Sequence, residues 1–144
     1  MPYPEMLVAP MRAELTNIGF KELKTAEEVE NTLPNTKGTA LVVFNSVCGC
    51  AAGAARPGVI RSLANDKTPD NLFTVFAGQD LEAVAKAREF TLPYPPSSPS
   101  VALFRDGKLV SFLERMNIEG ASAEMVSQQL KEAYNQFCEA KSAV

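Results

Sequence analysis

The chain has 144 residues, of which 46% are hydrophobic and 22% charged, and its formal net charge is −3. This length and composition predict a single globular domain over residues 1–144. The negative charge argues against nucleic acid or an anionic membrane as the main partner. The longest apolar runs fall short of the roughly 20 residues that a membrane-spanning helix needs. The first residues lack the basic and apolar segments of a secretory signal, so we expect a cytoplasmic protein.

The chain contains three cysteines and no histidine, which narrows its possible chemistry. An odd number of cysteines is untypical of a secreted disulfide framework, and a cysteine pair in a cytosolic protein is more often catalytic or metal-binding. The absence of histidine removes Cys–His and Ser–His–Asp catalysis and leaves few ligands for zinc.

The first third of the chain predicts two helices followed by a buried strand. The N-terminal helix ends near Gly19, and residues 21–24 form a possible short strand. Thr25-Ala26-Glu27-Glu28 matches a capping box and begins the second helix. Residues 39–45, rich in valine, predict the buried strand. The expected inward positions of the two helices are Leu7, Met11, Leu15 and Ile18, and then Val29 and Leu33.

The middle of the chain predicts a helix, a strand and a further helix. The helix that follows Cys50 contains Pro57, which removes one backbone hydrogen bond and is expected to kink it. Residues 71–77 predict a second buried strand, after which Asp80 caps the next helix. The expected inward positions are Ala55, Val59 and Leu63 in the first of these helices, and Leu81, Val84 and Ala85 in the second.

The last third of the chain predicts a β-hairpin and a helix. Asp106-Gly107 between residues 101–104 and 109–113 is a strong signal for a two-residue hairpin turn. The final helix begins at about Ser122, and its inward positions are Val126, Leu130, Ala133, Tyr134 and Phe137. Two strand–helix–strand units followed by a hairpin predict an α/β fold with a mixed central sheet and helices on both faces.

The motif Cys48-Gly49-Cys50 is the most informative feature of the chain, because it lies between the apolar strand and a small-residue segment that is compatible with a helix. This order predicts two thiols near a helix N-terminus, where the helix dipole favours a thiolate. An extended three-residue segment spans roughly 7 Å, whereas a disulfide requires about 4.4–6.8 Å between Cα atoms. The pair can therefore form a bond only if the backbone bends at Gly49. The small ring predicts a strained, easily reduced disulfide.

Other interpretations of these residues remain open. Cys48 and Cys50 are either redox-active, buried and structural, or ligands of a metal or iron–sulfur cluster that two chains share. A phosphate-binding loop is excluded, because Val59-Ile60 stands where lysine and serine or threonine are required. Cys138 is expected to pack against the core or lie at a frayed end. Pro99 either begins a strand or forms a cis peptide bond after Ser98.

The segment from Asn45 to Gly53, followed by Ala55-Arg56-Pro57, resembles the active-site signature of the bacilliredoxins. Residues 4–11, 75–80 and 94–100 resemble the same family, so the resemblance covers nearly the whole chain. It implies a thioredoxin-like fold and cytosolic thiol–disulfide exchange, in which bacillithiol is removed from mixed disulfides on oxidised client proteins. Disulfide isomerase activity is also associated with the group.

The resemblance implies a role for each matching residue. Cys48 corresponds to the attacking thiol and Cys50 to the neighbouring thiol that resolves or modulates. Pro99 matches the cis-proline position, and Pro57 falls where such proteins often kink the active-site helix. Bacillithiol or another low-molecular-weight thiol is then the cosubstrate, with no bound cofactor or metal. Arg56 is either a solvated arginine or a cation that assists an anionic cosubstrate.

The chain departs from related patterns at two places. Thioredoxins bury an acid in the strand before the active site, whereas residues 41–44 contain none. Met116 stands where we expect histidine in many relatives. Two functional alternatives remain: a general disulfide reductase or isomerase, and a non-enzymatic sensor in which oxidation of the thiol pair switches a binding surface.

Overall fold

The computed structural model describes residues 2–140 and has a five-stranded sheet at its centre, in the order β1-β3-β2-β4-β5. β1, β3 and β2 are parallel, whereas β4 is antiparallel to β2 and β5 is antiparallel to β4. The strands are β1 Lys21–Glu22, β2 Thr39–Asn45, β3 Asn71–Phe76, β4 Ser100–Arg105 and β5 Lys108–Leu113. This sheet confirms the predicted α/β class, its parallel centre and its C-terminal hairpin.

Helices cover both faces of the sheet, as the sequence predicts. The helices are α1 Glu5–Thr16, α2 Ala26–Thr32, α3 Arg56–Ser62, α4 Leu81–Glu89, α5 Arg115–Ile118 and α6 Ala123–Phe137, and a π-helical turn, Ala51–Ala55, precedes α3. Successive β2 side chains point to opposite faces. Leu41 and Val43 pack in the core formed with α3 and α6, whereas Val42 and Phe44 pack in the core formed with α2 and α4.

Local signals in the sequence determine several element ends. The Thr25 hydroxyl accepts a hydrogen bond from a backbone N–H in the first turn of α2, and the Ser122 hydroxyl does the same for α6. Asp106 and Gly107 have φ values of 50° and 82°, the two positive values that a type I′ hairpin turn requires. The predicted cap at Thr25, the predicted start of the last helix at about Ser122 and the predicted hairpin turn are therefore confirmed.

The buried face of α1 differs from the prediction. Val8, Arg12 and Leu15 face the interior, whereas Leu7 and Ile18 are exposed. Arg12 is buried because it donates hydrogen bonds to three carboxylates, and charges that lose their hydration are retained inside a protein when they are paired. The acceptors are Glu5 of α1, Glu22 of β1 and Asp80 before α4, at distances from 2.7 to 3.1 Å.

α4 differs from the prediction in its cap and in its buried face, and the ion pair with Arg12 explains the first difference. The Asp80 carboxylate binds Arg12 and makes no capping hydrogen bond to α4, although Asp80 does precede the helix. α4 buries Ala83 and Ala87, whereas two of the predicted inward residues, Leu81 and Ala85, are exposed. The third, Val84, is half-buried against the core.

The helix after Cys50 begins with the π-helical turn and continues as α3. Pro57 is the second residue of α3 and has no N–H to donate to the preceding turn, which favours a widened turn before it. Gly58 permits α3 to lie close to α6, since a Cβ there would be 2.6 Å from Val126 Cγ1. Ala55 and Val59 are buried as predicted, whereas Leu63 is only half-buried.

Candidate active site

The two cysteines of the motif lie in the loop that leaves the carboxyl end of β2. β2 ends at Asn45, the loop runs through Cys48 and Cys50, and the π-helical turn begins at Ala51. Both thiols are free and half-exposed. The expected strand–turn–helix order is therefore present, with both cysteines partly exposed to solvent.

Hydrogen bonds fold the loop back on itself around Cys48. The Cys48 N–H donates to Ser46 Oγ at 3.1 Å, and the Cys50 N–H donates to Cys48 Sγ at 3.4 Å. The Cys48 carbonyl accepts from the Ala51 N–H at 2.9 Å. This bend does not use the conformational freedom of glycine, because the φ of Gly49 is not positive and a Cβ there would meet no atom within 4 Å.

The two thiols differ in acidity. The pKa of Cys48 is lowered, first by a hydrogen bond from the Cys50 thiol and then by the Cys50 backbone N–H. Burial and the neighbouring Cys48 raise the pKa of Cys50. The lowered pKa of Cys48 agrees in direction with the expectation, but its main cause is Cys50; the Ala51 amide of the helix end contributes less. Cys48 is therefore the thiol that more readily becomes a nucleophile.

Pro99 lies at the same end of the sheet as the thiols. The Ser98–Pro99 peptide bond is cis, which confirms the sharper of the two predictions for this proline. Ser100, the next residue, pairs with Phe44 near the end of β2. The proline loop and the cysteine loop therefore leave neighbouring strands side by side.

Arg56 has a different role from either of the predicted ones. Its side chain is only 2% exposed, so it is neither solvated nor available to a cosubstrate. Its Nη1 donates to Asn45 Oδ1 at 2.9 Å and to the Ser46 carbonyl at 2.8 Å, and its Nε lies 3.1 Å from the Glu14 carboxylate. Arg56 is instead a positioning residue that ties the last residue of β2 and the first residue of the cysteine loop to α3.

Arg115, the first residue of α5, is the cation that sequence reasoning missed. Its backbone N–H donates to Ser97 Oγ at 3.3 Å, and its Nη1 donates to the Ser98 carbonyl at 3.1 Å. Its Nε donates to a Glu119 carboxylate oxygen at 2.9 Å. The positive charge of Arg115 contributes to lowering the pKa of Cys48, although less than the hydrogen bonds from Cys50.

A local signal for α5 is present in the sequence. The side chains of Glu114 and Asn117 each accept a hydrogen bond from the other residue's backbone N–H, so they form a reciprocal cap around a helix of four residues. Such a helix is too short to show hydrophobic periodicity. Met116, noted as a departure from relatives, is 77% exposed on this helix.

The strand before the motif and the third cysteine contribute no ionisable group to the thiols. β2 is buried along its whole length and carries no carboxylate, which leaves no acid in the strand before the motif. Cys138 packs in the core, which confirms the first of the two alternatives predicted for it. It interacts with Thr39, at the opposite end of β2 from Cys48. Burial raises the pKa of Cys138, which makes this thiol a poor nucleophile.

Within residues 2–140, no group of three His, Cys, Asp or Glu side chains is placed to hold a metal ion. No helix in the same range is long and apolar enough to cross a membrane.

Comparisons with known proteins agree with this geometry. A family model described as "Disulphide isomerase" matches residues 3–138. A bacilliredoxin from Cytophaga hutchinsonii is 61% identical over 135 residues, which cover 94% of this chain and 99% of that protein. A bacilliredoxin from Halalkalibacterium halodurans is 58% identical over 137 residues, which cover 95% of each chain.

Solved structures show the same fold at low sequence identity. A thioredoxin from Fasciola hepatica superposes with a TM-score of 0.54 at 18% identity, over 82% of this chain and 99% of that chain. A mutant thioredoxin from Halobacterium salinarum has a TM-score of 0.55 at 18% identity, over 84% and 92% of the two chains. The fold and the thiol pair define a thioredoxin-fold thiol–disulfide oxidoreductase. Within that class, the chain belongs to the bacilliredoxin family.

Proposed function

We propose that this protein acts in the cytoplasm and removes bacillithiol from mixed disulfides on oxidised client proteins. The observation that carries the proposal is the contrast between the two thiols: Cys48 is half-exposed with a lowered pKa, whereas the pKa of Cys50 is raised. The name of the similar bacilliredoxins supports bacillithiol as the small thiol in this proposal.

In the first step the Cys48 thiolate attacks the bacillithiol sulfur of the mixed disulfide. A bond forms between Cys48 Sγ and that sulfur, the mixed disulfide breaks, and the client leaves as a thiolate that takes up a proton. The Cys50 thiol and N–H, which favour the Cys48 thiolate, prepare the attack.

In the second step a thiol removes bacillithiol from Cys48. Either a second low-molecular-weight thiol attacks the adduct and leaves with bacillithiol as a disulfide, or Cys50 attacks Cys48 Sγ and releases bacillithiol as a thiol. The second route leaves a Cys48–Cys50 disulfide, which two further low-molecular-weight thiols must reduce, leaving together as a disulfide. The 3.4 Å distance between the Cys50 nitrogen and Cys48 Sγ supports this route, since it shows how closely the chain turns back on Cys48.

The proposal is tested by following the release of a bacillithiol-modified client thiol with excess low-molecular-weight thiol present. We expect Cys48→Ser to lower release to the rate measured without enzyme, which the excess thiol sustains by itself. Cys50→Ser should retain part of the catalysed rate, because the external thiol replaces Cys50. Cys138→Ser is the matched control, since its thiol is buried at the other end of β2 and its loss should leave release unchanged. Release by Cys48→Ser at the wild-type rate would contradict the proposal.

A second candidate function is disulfide isomerisation, which the description of the matching family favours. It would use the same first attack by Cys48, on a protein disulfide instead of a bacillithiol mixed disulfide. Recovery of activity from a scrambled disulfide protein at a rate above that of Cys48→Ser would support it. No recovery, together with release of bacillithiol, would leave the first function alone.

A further inference from the structure

We propose that Arg115 binds the anionic group of the small thiol in the mixed disulfide, so that the enzyme selects anionic low-molecular-weight thiols over neutral and cationic ones. The inference rests on the proposed exchange function and adds a specificity-determining residue to it. It concerns the class of small thiol that this site accepts.

The position of Arg115 follows from strand pairing. Ser100 of β4 pairs with Phe44 of β2, so the loop before β4 lies beside the loop that carries Cys48. Arg115 is attached to that loop at two points, by its backbone N–H to Ser97 Oγ and by its Nη1 to the Ser98 carbonyl. These contacts hold the guanidinium group on the side of Cys48 where the cis-proline loop lies.

The guanidinium group retains a free donor edge. Nε donates to Glu119 and Nη1 donates to the Ser98 carbonyl, while Nη2 makes no hydrogen bond within residues 2–140. The Arg115 side chain is 43% exposed and Glu119 is 63% exposed. A carboxylate from solution can therefore bind to the Nη2 edge with the planar geometry that arginine offers.

Arg56, the arginine bonded to Asn45 and Ser46, cannot perform this role. Arg56 is buried and its polar atoms face the protein. Both Cys48 and Cys50 contribute to raising the pKa of Arg115, after its hydrogen bond to Glu119, which agrees with the positions of these groups. An anionic substrate that approaches Cys48 thus meets a positive charge beside the sulfur.

Binding at Arg115 also decides which sulfur is attacked. If the anionic small thiol is held beside Cys48, its sulfur becomes the one that bonds to Cys48 Sγ. The mixed disulfide then breaks and the client leaves with the electron pair of that bond. The guanidinium group itself forms and breaks no covalent bond.

The test uses three mixed disulfides of one client thiol, with mercaptopropionate, mercaptoethanol and cysteamine as the small thiol. The rate of client release is measured across a pH range and extrapolated to the pH at which Cys48 is fully ionised. A difference in the pKa of Cys48 between variants then does not affect the comparison of rates. We expect the wild-type rates to fall in the order anionic, neutral, cationic. Arg115→Gln should reduce the ratio of the anionic to the cationic rate by about tenfold.

Three further variants separate charge from structure. Arg115→Lys keeps the charge and should retain most of the preference, whereas Glu119→Gln removes the competing carboxylate and should increase it. Arg61→Gln removes the same charge from an exposed position on α3 and should leave the ratio unchanged. An anionic-to-cationic ratio that Arg115→Gln and Glu119→Gln both leave at the wild-type value would overturn the inference. Absence of release from all three substrates by the wild type would instead refute the exchange function itself.

Discussion

The contact between α3 and α6 supports the candidate site, and Gly58→Ala perturbs it at one atom. The added Cβ would lie 2.6 Å from Val126 Cγ1, 2.7 Å from Val126 Cβ and 3.0 Å from the Ala123 carbonyl oxygen. Part of this environment is backbone, so the side chain of Val126 cannot remove the overlap by rotation alone. The two helices must therefore move apart.

The expected magnitude follows from two opposing contributions. Overpacking a close helix contact costs about 1–3 kcal/mol, and the short distances favour the upper half of that range. Alanine in place of glycine within a helix returns about 1 kcal/mol. We therefore expect Gly58→Ala to lower the free energy of unfolding by about 1–2 kcal/mol. Because α3 begins with Arg56, which holds the cysteine loop, the variant should also release client thiols more slowly.

Urea unfolding of the reduced protein measures this difference, with Gly53→Ala as the matched control. Gly53 is exposed in the π-helical turn, and a Cβ there would meet no atom within 4 Å. Its substitution should be neutral or stabilise the protein by up to about 1 kcal/mol. If Gly58→Ala were as stable as Gly53→Ala, the described packing of α3 against α6 would be wrong.

Three other predictions concern the thiols and the buried ion pairs. Because the Cys50 thiol is the main cause of the lowered Cys48 pKa, Cys50→Ala should shift the alkylation of Cys48 by iodoacetamide to higher pH; an unchanged or lower midpoint would contradict this cause. Arg12→Met should lower the free energy of unfolding by about 2–3 kcal/mol, since it leaves largely buried carboxylates unpaired. As a control, Lys86→Met breaks the more exposed pair with Glu89 and should lower it by less than about 1 kcal/mol. Equal costs would refute the role given to Arg12. The Cys48–Cys50 disulfide should be more oxidising than that of thioredoxin, and a reduction potential near the thioredoxin value of about −270 mV, measured against glutathione, would contradict this.

Local sequence signals predicted much of the fold. The valine-rich run of β2, the Thr25 cap and the Asp106-Gly107 turn each depend on neighbouring residues, so the sequence alone was sufficient for them. The predicted inner face of α1 was partly wrong, because a long-range ion pair buries Arg12. The same pair explains the missing Asp80 cap of α4 but not the inner face of that helix. Arg12 is buried by carboxylates that come from three separate segments, and no periodicity within α1 contains that information.

The candidate site was predictable where a motif carries it and was missed where the fold assembles it. The Cys48-Gly49-Cys50 sequence and the cis peptide before Pro99 were both anticipated. The arginines were not, because their roles depend on burial and on loops distant in sequence. Arginine is usually exposed, so the sequence gives no sign that Arg56 is buried. Arg115 is brought to the site by the pairing of β4 with β2.

Intact-mass spectrometry shows directly whether Cys48 receives bacillithiol from a client protein. Reduced wild-type protein and Cys48→Ser are each incubated with a bacillithiol-modified client, and the masses of enzyme and client are recorded over time. We expect one bacillithiol adduct on the wild type, none on Cys48→Ser, and an equivalent amount of released client. If Cys50 resolves the adduct rapidly, an internal disulfide should replace it. A wild-type protein that acquires neither the adduct nor the disulfide, with the client still modified, would contradict the account.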